Sequence, residues 1–218
     1  MPDQASYCIH TILAAPCGWA QIGAAASRID ARIGPDGGAV YGAWRSQIGR
    51  PRDEVTVMTR WKAPPDPAAA DAALLEVLPP VRASTTRPLQ PTLRPLDGTA
   101  PVRQGNFAFR WFTLPEPNLP EFLDLCEAAW PGFEAAYDSQ VVGLWRATAG
   151  EAAGMAETLL LTRRPNLAMW ERSKLPEGEA ESEVRAKLSR RYDLCDDTHV
   201  YTTTLLTAAD RADAARWT

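Results

Sequence analysis

The tetrapeptides Gly42-Ala43-Trp44-Arg45 and Gly143-Leu144-Trp145-Arg146 share the pattern Gly-x-Trp-Arg and stand 101 residues apart in a chain of 218. Further pairs match at the same offset: Leu13 with Leu114, Pro16 with Pro117, Val40 with Val141, and Gly49 with Gly150. After a two-residue insertion in the second copy, a last set matches: Glu54 with Glu157, Thr59 with Thr162, and Arg60 with Arg163. The same order of matching residues in both halves indicates that one structural unit is duplicated in the chain. Because such a unit cannot readily bury its apolar face alone, we expect the two copies to pack on each other.

Each copy shows the same order of predicted elements. In the second copy, strands are predicted at residues 107–114, 141–146, 155–163 and 198–206, and helices at 119–137, 166–172 and 181–194. In the first copy, strands are predicted at 7–13, 40–45, 54–61 and within 84–93, and helices at 19–33 and 68–77. The order β-α-β-β-α-β is that of the ferredoxin-like unit.

Turn residues divide the chain into four segments. We predict a first repeat at 6–94, a linker at 95–105, a second repeat at 106–207 and a short helical tail at 208–218. The last strand of the first repeat contains Pro88 and Pro91. Since proline cannot donate to a sheet ladder, this strand is expected to be irregular or to lie at an edge.

Composition limits the class of protein. The chain is 45% hydrophobic and carries a formal net charge of −4, which favours a globular core and argues against nucleic-acid or anionic-membrane partners. No apolar run approaches the roughly 20 residues needed to span a bilayer, and Met1-Pro2-Asp3-Gln4 does not begin a signal-peptide pattern. Four well-separated cysteines indicate reduced thiols and no zinc site. We therefore predict a cytoplasmic protein.

The second copy resembles the NIPSNAP family. The likeness rests on an aromatic first strand and on Val141-Val142-Gly143-Leu144-Trp145, which follows an apolar helix ending Ala129-Trp130-Pro131-Gly132-Phe133-Glu134. It is best over residues 107–206 and fainter over 7–93. The resemblance implies the dimeric α+β barrel superfamily: an α+β fold in which a tandem pair of ferredoxin-like units places two antiparallel sheets face to face as a barrel. Helices would lie outside it and a pocket within.

One departure from the family pattern limits what the resemblance carries over. Many members have a stretch like His-Leu-Trp-x-Tyr on the third strand. The matching stretches here are Leu160-Leu161-Thr162-Arg163-Arg164 and Val57-Met58-Thr59-Arg60-Trp61, which contain no histidine. A function that depends on that histidine is therefore not expected.

The candidate catalytic residues are His10, His199 and Arg110. The chain has two histidines, and histidine is the usual proton shuttle near neutral pH. They lie on strands of different copies, where they either approach each other across the barrel or act as ordinary strand residues. Arg110 has no counterpart in the first copy, where Ile9 takes its place, whereas the arginines of the repeated motif recur and favour a structural role. We predict that Arg110 anchors an anionic ligand group.

Aromatic residues on predicted strands are the candidate pocket walls. The chain has eight tryptophans, and rings with a single N–H suit either a pocket for a planar molecule or a barrel core. The predicted wall residues are Trp44, Trp61, Trp111, Trp145 and Tyr201. Because both faces of these strands are apolar, alternation does not identify the face that lines the pocket.

Three functions agree with these patterns. The first is binding or transformation of a small aromatic or lipophilic metabolite, by analogy with cofactor-independent oxygenases, isomerases and cyclases, with no cofactor and no metal. The second is a non-catalytic interaction or assembly module. The third is a haem protein, which requires an axial histidine facing a cavity. Free edge strands would allow a homodimer.

Overall fold

Eight antiparallel strands close into one barrel in the computed structural model, which describes residues 4–211. The strands are β1 (Ser6–Ala14), β2 (Gly38–Ile48), β3 (Glu54–Trp61), β4 (Val81–Arg94), β5 (Asn106–Pro115), β6 (Gln140–Ala147), β7 (Met155–Arg164) and β8 (Asp197–Leu205). Their order around the barrel is β1-β3-β2-β8-β5-β7-β6-β4. Each copy thus forms a four-stranded sheet of the same internal order, and β2–β8 and β4–β6 pairing joins the two sheets. The predicted duplicated ferredoxin-like fold is confirmed.

Six α-helices cover the outside of the barrel within the described part of the chain. They are α1 (Trp19–Ala24), α2 (Ala26–Ile33), α3 (Pro67–Val77), α4 (Leu119–Tyr137), α5 (Leu167–Arg172) and α6 (Gly178–Asp193). The single helix predicted at 19–33 is wrong, because the Ala25 N–H bonds to the Ile22 carbonyl three residues back and interrupts the α-helical ladder. The predicted helical tail falls largely on residues 212–218, which lie outside the described residues.

Strand β4 shows how the prolines are accommodated. It pairs with β1 on one side and β6 on the other, and its register against β6 shifts between Pro91 and Arg94. The expected irregularity is confirmed. The alternative of an edge position is wrong, because closure of the barrel pairs this strand on both sides.

The repeated Gly-x-Trp-Arg motif forms the same bulge in both sheets. The register shifts just before Gly42 in β2 and just before Gly143 in β6. Each glycine lies beneath the ring of the tryptophan two residues on: a Cβ at Gly143 would overlap Trp145 Cη2 and lie 2.6 Å from its Cζ2. The motif is therefore an architectural device that seats a large ring inside the barrel.

The arginine of each motif points to the outer face instead. The Arg45 guanidinium lies 3.9 Å from the ring centroid of Trp19, and Arg146 donates to both carboxylate oxygens of Glu116. These contacts agree with the structural role predicted for the recurring arginines.

Aromatic rings fill most of the barrel interior. The rings of Tyr7, Tyr41 and Trp145 meet edge to face with centroids 5.2–6.0 Å apart, and Phe109 stacks on Tyr201 at 5.2 Å. Two further apolar clusters lie between the outer sheet faces and the helices of each copy. The barrel is a packed core, so a ligand can reach its interior only from an end.

The linker covers one of the two ends. Ala100 packs against the interior cluster, and the carbonyl of Gln104 accepts a hydrogen bond of 2.6 Å from Arg163 Nε. Among residues 4–211, no helix combines the length and apolar character needed to cross a bilayer.

Candidate functional site at the barrel mouth

The end of the barrel opposite the linker holds a cavity of about 160 Å³. Its lining comes from β1, β4, β5, β8 and the β2–β3 turn: Ile9, Thr11, Arg50, Thr85, Arg87, Trp111, His199 and Tyr201. Trp111 and His199 face inward because they lie two residues from the buried rings of Phe109 and Tyr201 on the same strands. An apolar cavity of about 150 Å³ is large enough to bind benzene, so this mouth cavity matches a single-ring molecule.

Two guanidinium groups lie on the aromatic walls of the mouth cavity. Arg87 forms an ion pair with Glu157 and stands 4.5 Å from the ring centroid of Trp111. Arg50 stands 5.0 Å from the ring centroid of Tyr201. Arg50 also pairs with Glu54 at 3.8 Å. Such cation–π contacts and ion pairs hold both positive charges in place beside the cavity.

His199 and Tyr201 supply two different proton-carrying groups. The His199 side chain lies at the exposed rim, and its pKa is lowered, first by partial burial and then by Arg50. A lowered pKa favours the neutral imidazole, which can accept a proton. Burial raises the pKa of Tyr201 to about 12, so its hydroxyl remains protonated.

His10 lies on the outer face of β1, away from the barrel interior. Its Nδ1 is 3.2 Å from Asp71 Oδ1 of α3 and 2.8 Å from Thr86 Oγ1, and its Nε2 is 3.1 Å from Thr59 Oγ1. The side chain is fully buried. The expectation that the two histidines approach each other across the barrel is therefore wrong, since they lie on opposite faces of its wall.

Arg110 is also on the outer side of the wall, facing away from the mouth cavity. Its guanidinium lies 5.6 Å from the ring centroid of Tyr192 on α6. The structure thus does not bring His10, Arg110 and His199 into one site. Each of the three side chains lies in a different environment of the barrel wall.

The predicted wall residues divide among three places. Trp111 and Tyr201 line the mouth cavity. Trp44 and Trp145 are fully buried in the packed interior. Trp61 belongs to the outer cluster of the first copy, where its indole N–H donates to Thr59 Oγ1 at 2.8 Å.

Arg50 and Arg87 line the mouth cavity but are not among the site residues predicted from the sequence. Arg87 lies two residues before Leu89, which points into the barrel core, so both side chains lie on the same face of the strand. This spacing would have identified Arg87 if the two prolines had not obscured the strand pattern. Arg50 lies in a turn between two strands, where no periodic signal reports its direction.

Comparisons with solved structures agree on the architecture, whereas comparisons of the sequence find no match. No family model matches the sequence, and no curated protein matches it. A proposed monooxygenase from Lactobacillus acidophilus aligns over 94% of this chain and 95% of its own at 9% identity, with a TM-score of 0.57. An anthrone oxidase-like protein aligns over 93% and 92% at 12% identity, with a TM-score of 0.52.

A chlorite dismutase variant from Candidatus Nitrospira defluvii aligns over 94% of this chain and 92% of its own at 7% identity, with a TM-score of 0.52. The chain has the fold of the α+β barrels built from ferredoxin-like units. Identities this low establish shared architecture alone, and membership of the NIPSNAP family stays a prediction.

The α+β barrel does not offer a fitting site for haem. Both ring nitrogens of His10 are engaged within the wall, and His199 opens onto a cavity that matches one ring rather than a tetrapyrrole. Within residues 4–211, no cluster of three histidine, cysteine or acidic side chains is placed to hold a metal ion.

A larger cavity of about 410 Å³ lies beside the linker at the other end of the barrel. Two of its cations are engaged, as Arg50 and Arg87 are at the mouth: Arg94 binds Glu134 at 2.7 Å, and Arg163 donates to the Gln104 carbonyl. Its lining includes no histidine. The mouth cavity is therefore the better candidate for chemistry.

Proposed function

We propose that the mouth cavity binds a single-ring aromatic or lipophilic metabolite with an acidic proton, and that His199 accepts this proton. The observation that carries the proposal is that one imidazole and two guanidinium groups line the same aromatic-walled cavity of one-ring size. A non-catalytic interaction module would not need such a cavity. The interior of the barrel is packed, and this cavity lies at its open end.

The proposed chemistry is general base catalysis. The proton moves from an O–H or C–H of the substrate to a ring nitrogen of His199, and the electron pair stays on the substrate. Arg50 and Arg87 then stabilise the developing anion, while the Tyr201 hydroxyl donates a hydrogen bond. Proton removal of this kind can begin an isomerisation, a cyclisation or a cofactor-independent oxygenation, the classes that analogy with the dimeric α+β barrel superfamily suggests. Of the structural relatives, one is named a proposed monooxygenase and another anthrone oxidase-like.

Replacing Trp111 by leucine is expected to weaken binding of a one-ring probe by at least about tenfold, equal to roughly 1.4 kcal/mol. The substitution removes an aromatic wall of the mouth cavity and the ring that holds Arg87 in place. Isothermal titration calorimetry with 4-nitrophenol measures the affinity. Cyclohexanol, which is not planar, serves as the comparison ligand.

Trp61→Leu is the matched control for this measurement. Trp61 is buried to a similar extent, at 4% exposed against 7% for Trp111, but it lies on the outer face. It is expected to lower stability while keeping the affinity. Equal losses in both variants, or no saturable binding by the unaltered protein, would contradict the proposed site.

The pKa of His199 is expected to lie below its ordinary value of about 6.5. A lowered pKa favours the neutral base, so proton acceptance is retained at pH 7 and lost as the pH falls through that midpoint. Arg50→Gln is expected to raise the midpoint, because it removes the positive charge that opposes protonation of the imidazole. An NMR titration of the imidazole C–H signals measures this.

His199→Gln identifies which of the two histidine signals belongs to the mouth. Arg32→Gln on the exposed face of α2 removes the same charge at a different place and is expected to leave the midpoint unchanged. A midpoint above the ordinary histidine value in the unaltered protein would exclude His199 as the base.

A further inference from the structure

A third pocket lies between the outer face of the second sheet and α6, and its charged lining is entirely cationic. It has a volume of about 50 Å³. Five cations line it: Arg110 of β5, Arg164 of β7, Lys174 of the α5–α6 loop, and Arg185 and Arg191 of α6. No aspartate or glutamate among residues 4–211 is part of the lining. Such a concentration of one charge needs a physical explanation.

Two of these arginines are deeply buried and incompletely bonded. Arg164 is 7% exposed and Arg191 is 4% exposed. Arg164 Nη1 donates to Thr162 Oγ1 at 3.0 Å, and Arg191 Nη1 donates to Cys126 Sγ at 3.5 Å. The Nε atom of each has no hydrogen-bond partner within the described chain. A buried cation without a counter-charge is costly.

Other arginines of the second repeat do have carboxylate partners. Arg146 binds Glu116 at 2.7 Å, Arg172 binds Glu181 at 2.8 Å, and Arg190 binds Glu121 at 3.0 Å. These pairs lie outside the cationic pocket, and the last involves α6, which also carries Arg185 and Arg191. Three other guanidinium groups of the repeat thus have carboxylate partners, whereas the described residues place no carboxylate in the pocket.

The cations of the pocket repel one another. Burial and, after it, the charge of Arg110 together lower the pKa of Arg164 to about 10. Lys174 lies at the exposed rim of the pocket, where partial loss of hydration, followed by the four arginines, lowers its pKa to about 8. An anion in the pocket would relieve this repulsion and bond to the free N–H groups.

We propose that the cationic pocket binds a phosphate group, either as the free ion or as the end of a phosphomonoester. A phosphate carries up to two negative charges and matches the fork of N–H groups on arginine. The volume exceeds the roughly 10–15 Å³ that a water molecule needs, which leaves room for a small oxyanion. The exposed Lys174 marks the opening, where the rest of an ester would lie outside.

The site is independent of the mouth cavity. Arg110 and Trp111 are neighbours on β5 but point to opposite faces of the sheet, one into the cationic pocket and the other into the mouth. Failure of one proposal therefore does not decide the other.

Thermal unfolding at constant ionic strength tests the proposal. Inorganic phosphate and phenyl phosphate are each added to the full chain, with acetate as the comparison anion. We expect a saturable rise of the unfolding midpoint with phosphate and little rise with acetate. Calorimetry should show that Arg164→Met and Arg110→Met each lose roughly tenfold or more of the phosphate affinity. Arg190→Met, which removes an exposed and paired arginine, should keep it.

The unfolding midpoint of Arg164→Met without phosphate separates binding from a structural role. Removing an uncompensated buried charge should leave this midpoint unchanged or raised. If that variant does not fold, Arg110→Met, at a partly exposed position, carries the test. Binding of both phosphate probes supports a free-ion site, and binding of phenyl phosphate alone supports an ester. Equal rises with acetate and phosphate, or full phosphate affinity in both arginine variants, would overturn the proposal.

Discussion

Replacing Gly143 by alanine is expected to lower the free energy of unfolding by about 2–3 kcal/mol. The added methyl group would occupy the space of the Trp145 ring, whose Cζ2 and Cζ3 lie 2.6 Å from the Cβ position. Trp145 is fully buried among the rings of the interior, so it has no free space into which to move. Urea unfolding followed by tryptophan fluorescence measures the loss.

The same substitution elsewhere in the chain separates ring overlap from a general effect of alanine. Gly42→Ala should cost a similar amount, because the first copy has the same bulge and its Cβ position lies 2.8 Å from Trp44 Cζ2. Gly34→Ala should be neutral or stabilise by up to about 1 kcal/mol, since its backbone is right-handed helical and no atom lies within 4 Å of the Cβ position. Similar stabilities for Gly143→Ala and Gly34→Ala would show that the glycine is not required by the ring.

Replacing Asp71 by alanine is expected to cost about 2 kcal/mol of stability near pH 6. Asp71 Oδ1 accepts hydrogen bonds from Ser84 Oγ at 2.8 Å and Thr86 Oγ1 at 2.6 Å, and it lies 3.2 Å from His10 Nδ1. Its loss would leave the fully buried His10 without its carboxylate and remove the side-chain hydrogen bonds that join α3 to β4 and β1. Urea unfolding of both proteins measures the difference.

The cost should shrink in acid. The hydrogen bond from His10 lowers the pKa of Asp71 to about 2, below its ordinary 3.8. A carboxylate with a lowered folded-state pKa stabilises the protein above its unfolded-state pKa, and this stabilisation is lost as the pH falls toward 2. The difference between the unaltered protein and Asp71→Ala should therefore be smaller at pH 3 than at pH 6.

Asp36→Ala is the control for this comparison. Asp36 pairs with Arg32 at 3.4 Å, but its side chain is 63% exposed, so the substitution should change stability by less than about 1 kcal/mol. An equal cost of Asp71→Ala at both pH values would show that the carboxylate acts by packing rather than by charge.

Local patterns in the sequence predicted most of the architecture. The twin glycine–tryptophan pairs marked the same bulge in each copy, and the order of apolar runs predicted the order of the strands. The broken helix at Ala25 escaped prediction because a single hydrogen bond to Ile22 interrupts it. No apolar period reports such a bond.

The candidate site was predicted only in part. Trp111, His199 and Tyr201 were named among the candidates and line the mouth cavity, whereas Arg50 and Arg87 were missed. His10 and Arg110 were named because of their rarity or lack of a counterpart. Those features say nothing about the direction of a side chain.

The sequence by itself determined the duplication, the strand order within each copy and the glycine beneath each buried ring, because these follow from spacing along the chain. Tertiary structure alone decided which strand face became the interior. Both faces of these strands are apolar, since one packs on helices and the other on the opposite sheet. Closure of the barrel therefore placed His199 at its mouth, His10 beneath α3, and Arg110 in a cationic pocket under α6.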